Sequence, residues 1–159
     1  MAKVDLLEFQ FVKGGEPSNL EGFYKGSLEL FIPGTFLESI AGLILKFWVP
    51  WYGKEFGNQS NYNFISPLFL LPIILLFGPK PLLKIGPTLH AFPFKTKIVK
   101  SLKDKIQVLQ LDYDVPENPV RVRNVVDELV EIEKNIYLGK AYLKEKGSLR
   151  LLAYFRLEK

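Results

Sequence analysis

Few residues in this sequence are equipped for chemistry. His90 is the single histidine and cysteine is absent. Disulfides, thiolate nucleophiles and Cys-ligated zinc or iron–sulfur sites are therefore excluded, and a zinc site would lack ligands. His90 stands in an apolar context where a structural or surface role is expected ahead of cofactor contact; haem ligation would be the sharp form of the latter. The carboxylates Asp112 with Asp114, and Asp127 with Glu128, flank Arg121 and Arg123. Paired carboxylates divide acid and base roles when burial separates their proton affinities. Nothing in the spacing brings these pairs together, so ion pairing with the arginines at the surface is the expectation. Ser66, Thr88 and Ser101 have no neighbouring base to activate them. Gly14 and Gly15 lack the following lysine and hydroxyl residue of a phosphate loop, and Gly22 with Gly26 is too sparse for a dinucleotide fingerprint.

The aromatic cluster Trp48, Trp51, Tyr52, Phe56, Tyr62 and Phe64 is more informative. Such side chains bury large areas and meet a polar edge through their own polar atoms. Core packing, the lining of a ligand pocket and a surface contact all use that property.

Composition narrows the class. With 159 residues and 48% hydrophobic content, one domain with a substantial core is expected, and disorder is not. The net charge of +4 is spread out, with Lys95, Lys97, Lys100, Lys103 and Lys105 as its densest run. A solvated face explains that run better than nucleic-acid binding, which needs a clustered patch and exposed stacking aromatics. The first ten residues mix Lys3, Asp5 and Glu8 without a long apolar core, so they do not form a secretory signal, and a cytoplasmic chain is expected.

The elements that must position these residues are mostly strands. Leu149, Leu151, Ala153, Phe155 and Leu157 alternate with Ser148, Arg150, Leu152, Tyr154, Arg156 and Glu158, which predicts a strand with one buried face. Across Glu145, Lys146 and Gly147 it pairs with Ile136 to Lys144, where Gly139 and Ala141 share a face with Tyr137 and Leu143 and leave room for a neighbouring element or a ligand. Gly22 to Phe31 reads as a bent, half-buried strand, and Val4 to Val12 as a short helix or first strand. Thr35 and Glu38 form a capping pair for a helix reaching about Trp48. Phe64 to Phe77 is nearly all apolar, but it is short and carries Pro67 and Pro72, so it reads as a buried strand or loop pair and not as a membrane span. Strands follow over Leu82 to Ile85, Thr88 to Val99, with an edge or bulge at Pro93, and Lys105 to Tyr113, which carries a carboxylate inward on one face. Val120 to Val126 reads as a short helix or crossing segment.

Gly22, Phe23, Tyr24, Lys25 and Gly26 near the start, with Asn135 to Leu143 and Leu149 to Leu157 at the end, resemble the opening and closing of a lipocalin-like, or calycin, barrel. Lipocalins carry a tryptophan in the opening motif and an arginine near the last strand; here the opening aromatic is Tyr24, and the nearby arginines are Arg150 and Arg156. The resemblance implies a small apolar ligand, a lipid or a pigment, held inside the barrel. The expectation is a mainly β, antiparallel barrel with an early helix and a short second helix, one domain over 1–159 with an apolar insertion at 35–77. The expected ligand contacts are Tyr24, Trp48, Trp51, Tyr52, Phe56, Tyr62, His90, Asp112, Arg121 and Tyr137, without a metal or nucleic acid and with any cofactor left open. One alternative is a peripheral membrane, self-association or partner-binding module acting through 64–77. Another is an enzyme whose Asp112, Arg121, Asp127 and His90 converge on a polar pocket.

Overall fold

Alternating apolar and polar residues drive most of this chain into strands, and the strands close on one another. The computed structural model describes all residues except Met1, Ser18, Asn19, Pro33, residues 35–50, Asn58, Gln59, Ile85 and Lys146, and the side chains of Leu76 and Phe77. The helix expected from Thr35, and Trp48 with it, lie outside the described residues. Helix α1 (Lys3–Lys13) leads into β1 (Gly22–Phe31), β2 (Trp51–Phe56) and β3 (Asn61–Ile65). A 3-10 turn over Pro67–Phe69 and helix α2 (Leu70–Phe77) come next, then β4 (Leu82–Lys84), β5 (Leu89–Lys100) and β6 (Gln107–Asp112). Helix α3 (Val120–Arg123), β7 (Val125–Glu133), β8 (Ile136–Glu145) and β9 (Ser148–Glu158) complete the order.

The pairing order is β3-β2-β1-β9-β8-β7-β6-β5-β4, and β3 also pairs with β5, which shuts the sheet into a closed antiparallel barrel of eight strands. The short β4 lies outside that ring, beside Ala91 and His90 of β5. Closure removes the sheet edges that would otherwise invite pairing with other chains. The seam between the first and last strands runs from Lys25 opposite Glu158 to Phe31 opposite Ala153.

Two cores share the barrel wall. Tyr24, Phe56, Phe94, Leu111, Leu129, Tyr137, Phe155 and Leu157 fill the interior, and Val108, Val130, Leu138 and Tyr154 face outward against Leu7 and Phe11 of α1. The spacing of Leu7 and Phe11, one helical turn apart, puts both on one face, so the N-terminal segment is a helix and not a strand. The outer core also holds charge. Lys140 Nζ sits 2.7 Å from Glu8 Oε1, 2.8 Å from Asp104 Oδ2 and 4.1 Å from the centre of the Phe11 ring, while Tyr154 donates to Glu8.

Two expectations change here. The alternation in β9 is broken by a bulge between Leu151 and Ala153, so Leu151 packs outside with Tyr154 while Ala153, Phe155 and Leu157 point inward. The apolar stretch 64–77 contributes only its first residues to a strand, and the rest is helical. Pro72 sits in the first turn of α2, where a missing N–H costs nothing, so it does not break the helix. Among the described side chains of α2, Ile73 alone is buried, against Ile65, Leu89 and Ala91, whereas Leu71 and Leu75, and Leu68 of the preceding turn, are 65%, 76% and 75% exposed.

Candidate functional site: a buried lysine beneath an apolar hollow

The barrel interior is plugged at one end and hollow at the other. At the plugged end Tyr24 packs edge-on against Phe56 and Tyr137, each at 5.5 Å, and Phe56 against Phe94 at 5.7 Å. The room made by Gly139 is taken by protein, since a Cβ there would lie 2.3 Å from the Phe155 ring. At the other end, Trp51, Asn63, Ile65, Phe92, Tyr113, Val122 and Val125 surround a hollow of about 330 Å³.

Beneath the hollow lies Lys54, its side chain 4% exposed beside the 5% exposed Asp127. The ammonium is 3.0 Å from Asp127 Oδ2 and 2.9 Å from Asn63 Oδ1, and it also donates to the Tyr113 hydroxyl. Tyr113 donates in turn to Asp127 Oδ2 at 3.1 Å, and the Trp51 indole N–H donates to Asn63 Oδ1 at 3.1 Å. The rings of Trp51, Phe94, Tyr113 and Phe155 surround the nitrogen with centroids 5.1 to 5.3 Å away, close enough for cation–π attraction. Burial pulls Lys54 below its ordinary value, against Asp127, which pushes it up. Burial first and the Asp127 charge second hold the Tyr113 phenol well above the usual tyrosine value, so it keeps its proton.

Local irregularities aim these side chains. A bulge between Trp51 and Gly53 turns Trp51 to the same side as Lys54. Gly53 makes this possible: its φ is 149° and a Cβ would stand 2.0 Å from the Tyr24 carbonyl oxygen, so only glycine fits. A second bulge at Phe92 and Pro93 gives Phe92 a φ of 51°, a strained conformation costing about 1–3 kcal/mol for a residue with a side chain. The Phe92 carbonyl accepts from Asn63 Nδ2 at 3.0 Å, which orients that amide. Buried Asn118 ties the loop after β6 to this bulge, donating to Pro93 O at 2.7 Å and Tyr113 O at 2.8 Å.

The residues expected from sequence are dispersed. Trp51 lines the hollow, whereas Tyr24, Phe56 and Tyr137 form the plug at the far end. Tyr52 is on the outer surface, beside a shallow hollow of about 490 Å³ that it shares with Phe23, Lys25 and Phe64. Tyr62 stacks on His90 at 4.6 Å and the Phe64 ring lies tilted against it at 4.4 Å, also on the outer wall, and burial first, then Lys84, lowers the His90 pKa. Asp112 faces outward, accepting from the Asp114 N–H at 3.1 Å. Arg121 is exposed on α3, and Arg123 bonds Asp114 at 2.6 Å. Asp112, Arg121, Asp127 and His90 therefore do not converge on one cavity. The inward carboxylate is Asp127 of β7, not a residue of β6.

Lys54, Asn63 and Tyr113 were not singled out by the sequence. The signal for Lys54 was its place two residues before Phe56 on one strand face. Among the described residues, no group of three or more His, Asp or Glu could hold a metal ion, and no helix is long and apolar enough to cross a membrane.

No protein-family model matches the chain, and no curated protein matches it. A solved structure of a protein from Thermomonospora curvata superposes with a TM-score of 0.54 at 16% identity, over 100% of this chain and 88% of that one. The likeness is one of fold: a closed, antiparallel, eight-stranded barrel that is calycin-like in its coarse form.

Proposed function

We propose that this barrel binds one small, largely apolar molecule in the hollow above Lys54, as a lipocalin-like barrel would. The observation that carries the reading is the contrast along the interior, packed with aromatic side chains at one end and, among the described residues, hollow at the other. The opening of about 330 Å³ is lined by Trp51, Ile65, Phe92, Val122 and Val125, with Asn63 and Tyr113 as its polar floor. Binding sites are typically apolar hollows of about 300–1,000 Å³ with a few fixed polar groups, so this one suits a small ligand with one polar end. Asn63 and Tyr113 are oriented by hydrogen bonds with Lys54, Trp51 and Asp127, so they offer a polar floor for one end of the ligand.

The test is titration with the fluorescent apolar probe 1-aminoanthracene. The expected result is saturable enhancement that is lost in Val125→Trp, a substitution that fills the hollow, while the variant keeps wild-type stability. Equal enhancement in both proteins refutes the site.

A second reading is favoured by the 3-10 turn, which exposes Leu68, and by α2, which exposes Leu71 and Leu75; both follow the strand end at Ile65 that lines the hollow. An apolar face of this kind suits contact with a lipid surface. Co-flotation with vesicles of phosphatidylcholine and phosphatidylglycerol, abolished by Leu71→Glu with Leu75→Glu, is the expected result; no flotation of the wild type removes this reading.

A further inference from the structure

The binding reading leaves the chemistry beneath the hollow unused. A hydrophobic floor would seal the barrel without charge, and a buried ion pair is often no more stabilising than well-packed apolar side chains. Lys54 and Asp127 are nevertheless both buried here, and the two residues that separate the lysine from the hollow, Asn63 and Tyr113, are also its hydrogen-bond partners. Tyr113 touches Lys54, Asp127 and the hollow at once. The set contains an amine, a carboxylate able to take its proton, a phenol that stays protonated, and an apolar chamber next to all three. Those are the parts of a site that forms covalent imines.

We propose that Lys54 forms an imine with an aldehyde or ketone whose apolar body occupies the hollow. The inference rests on the ligand-binding reading above and adds the ligand's reactive group. The ammonium of Lys54 passes a proton to Asp127, and the free amine adds to the carbonyl carbon, forming the C–N bond. The carbonyl oxygen takes a proton from Tyr113, which recovers one from the new nitrogen, leaving a neutral carbinolamine. Asp127 then returns its proton to the hydroxyl, which departs as water while the nitrogen lone pair forms the C=N bond. The product is a protonated imine with Asp127 as its counter-ion, so the charge of the site is unchanged and nothing is oxidised or reduced. The four rings that surround the ammonium then surround the iminium. Asn63 and Tyr113 must turn aside for the carbonyl to reach Nζ, a side-chain movement and not a change of fold.

The experiment uses the whole chain with equimolar cinnamaldehyde and sodium cyanoborohydride, followed by peptide mapping. Binding of cinnamyl alcohol, which keeps the apolar body without the carbonyl, is measured in parallel by displacement of 1-aminoanthracene. The expected result is that the Lys54 peptide carries about tenfold more reduced adduct than any exposed lysine, as positioning in a prepared site allows. Tyr113→Phe should slow trapping at Lys54 about a hundredfold at saturating cinnamaldehyde, where any loss of affinity no longer counts, the usual worth of a positioned proton donor. Label spread over exposed lysines and absent from Lys54, with cinnamyl alcohol still bound, overturns the imine and leaves the binding reading standing. Failure of cinnamyl alcohol and 1-aminoanthracene to bind overturns both.

Discussion

Replacing Asp127 with asparagine keeps the shape of the site but leaves the Lys54 ammonium buried without its counter-ion. At the observed 3.0 Å, two unit charges attract by about 5.5 kcal/mol for an effective dielectric constant near 20. Desolvating the two ions costs several kcal/mol each, so the pair as a whole adds little net stability, while removing one partner strands the other. Asp127→Asn alone should therefore cost about 3–5 kcal/mol, and Lys54→Met alone a similar amount. The double variant Lys54→Met with Asp127→Leu strands no charge. It gives up the hydrogen bonds from Lys54 to Asn63 Oδ1 and Tyr113 and the one from Tyr113 to Asp127, about 1 kcal/mol each, and should be no less stable than either single variant. The assay is urea unfolding by linear extrapolation, with an unchanged slope as the sign that only stability has moved. If the double variant loses the sum of the two single losses, the charges do not act as a pair and the reasoning fails.

Gly139→Ala should destabilise the barrel by about 1–3 kcal/mol, because its methyl group would stand 2.3 Å from the Phe155 ring; Gly139→Ala with Phe155→Leu should recover much of that loss in the same unfolding assay. At alkaline pH the buried phenols of Tyr113, Tyr142 and Tyr154 hold their protons above the ordinary tyrosine value, burial being the first cause for each. Above about pH 10 the native state then binds more protons than the unfolded one, so stability should fall as pH rises, and tyrosinate absorbance from these residues should appear only together with loss of far-ultraviolet circular dichroism. Lys54 works the other way: its lowered value makes the native state bind fewer protons just below the ordinary lysine value, giving a rise in stability with pH there that Lys54→Met should erase. Glu8→Ala removes partners from both Lys140 and Tyr154, so it should cost about 1–3 kcal/mol and raise amide hydrogen exchange in α1 while the interior strands stay protected.

The barrel was legible because its strongest signals are local. The limits of β1 and of the β8–β9 hairpin follow from two-residue alternation and from the turn at Gly147, and strands joined by short turns close most simply as neighbours. What alternation does not carry is the count of residues between paired positions. Each bulge shifts the count by one, which moved Leu151 outward and brought Trp51 round to the side of Lys54. The same limitation hid the site. Asn63, Tyr113 and Asp127 lie on different strands or just past their ends, and only the curvature of the closed sheet brings them to one nitrogen. The apolar run in α2 reads as a buried strand or loop pair because periodicity cannot separate a short, all-apolar helix from a strand, and because prolines argue against a helix interior but not against a first turn.

The seam between β1 and β9 sets an order on assembly. Most other neighbours in the ring are successive in the chain and can zip as hairpins while synthesis proceeds. The pairing of Lys25 with Glu158 must wait until the last strand has left the ribosome, and it bears the entropy of bringing distant segments together. Until then β1 presents an unpaired edge carrying Tyr24, Leu28 and Leu30, the interval in which a nascent chain is most exposed to mispairing with another copy and most in need of a chaperone.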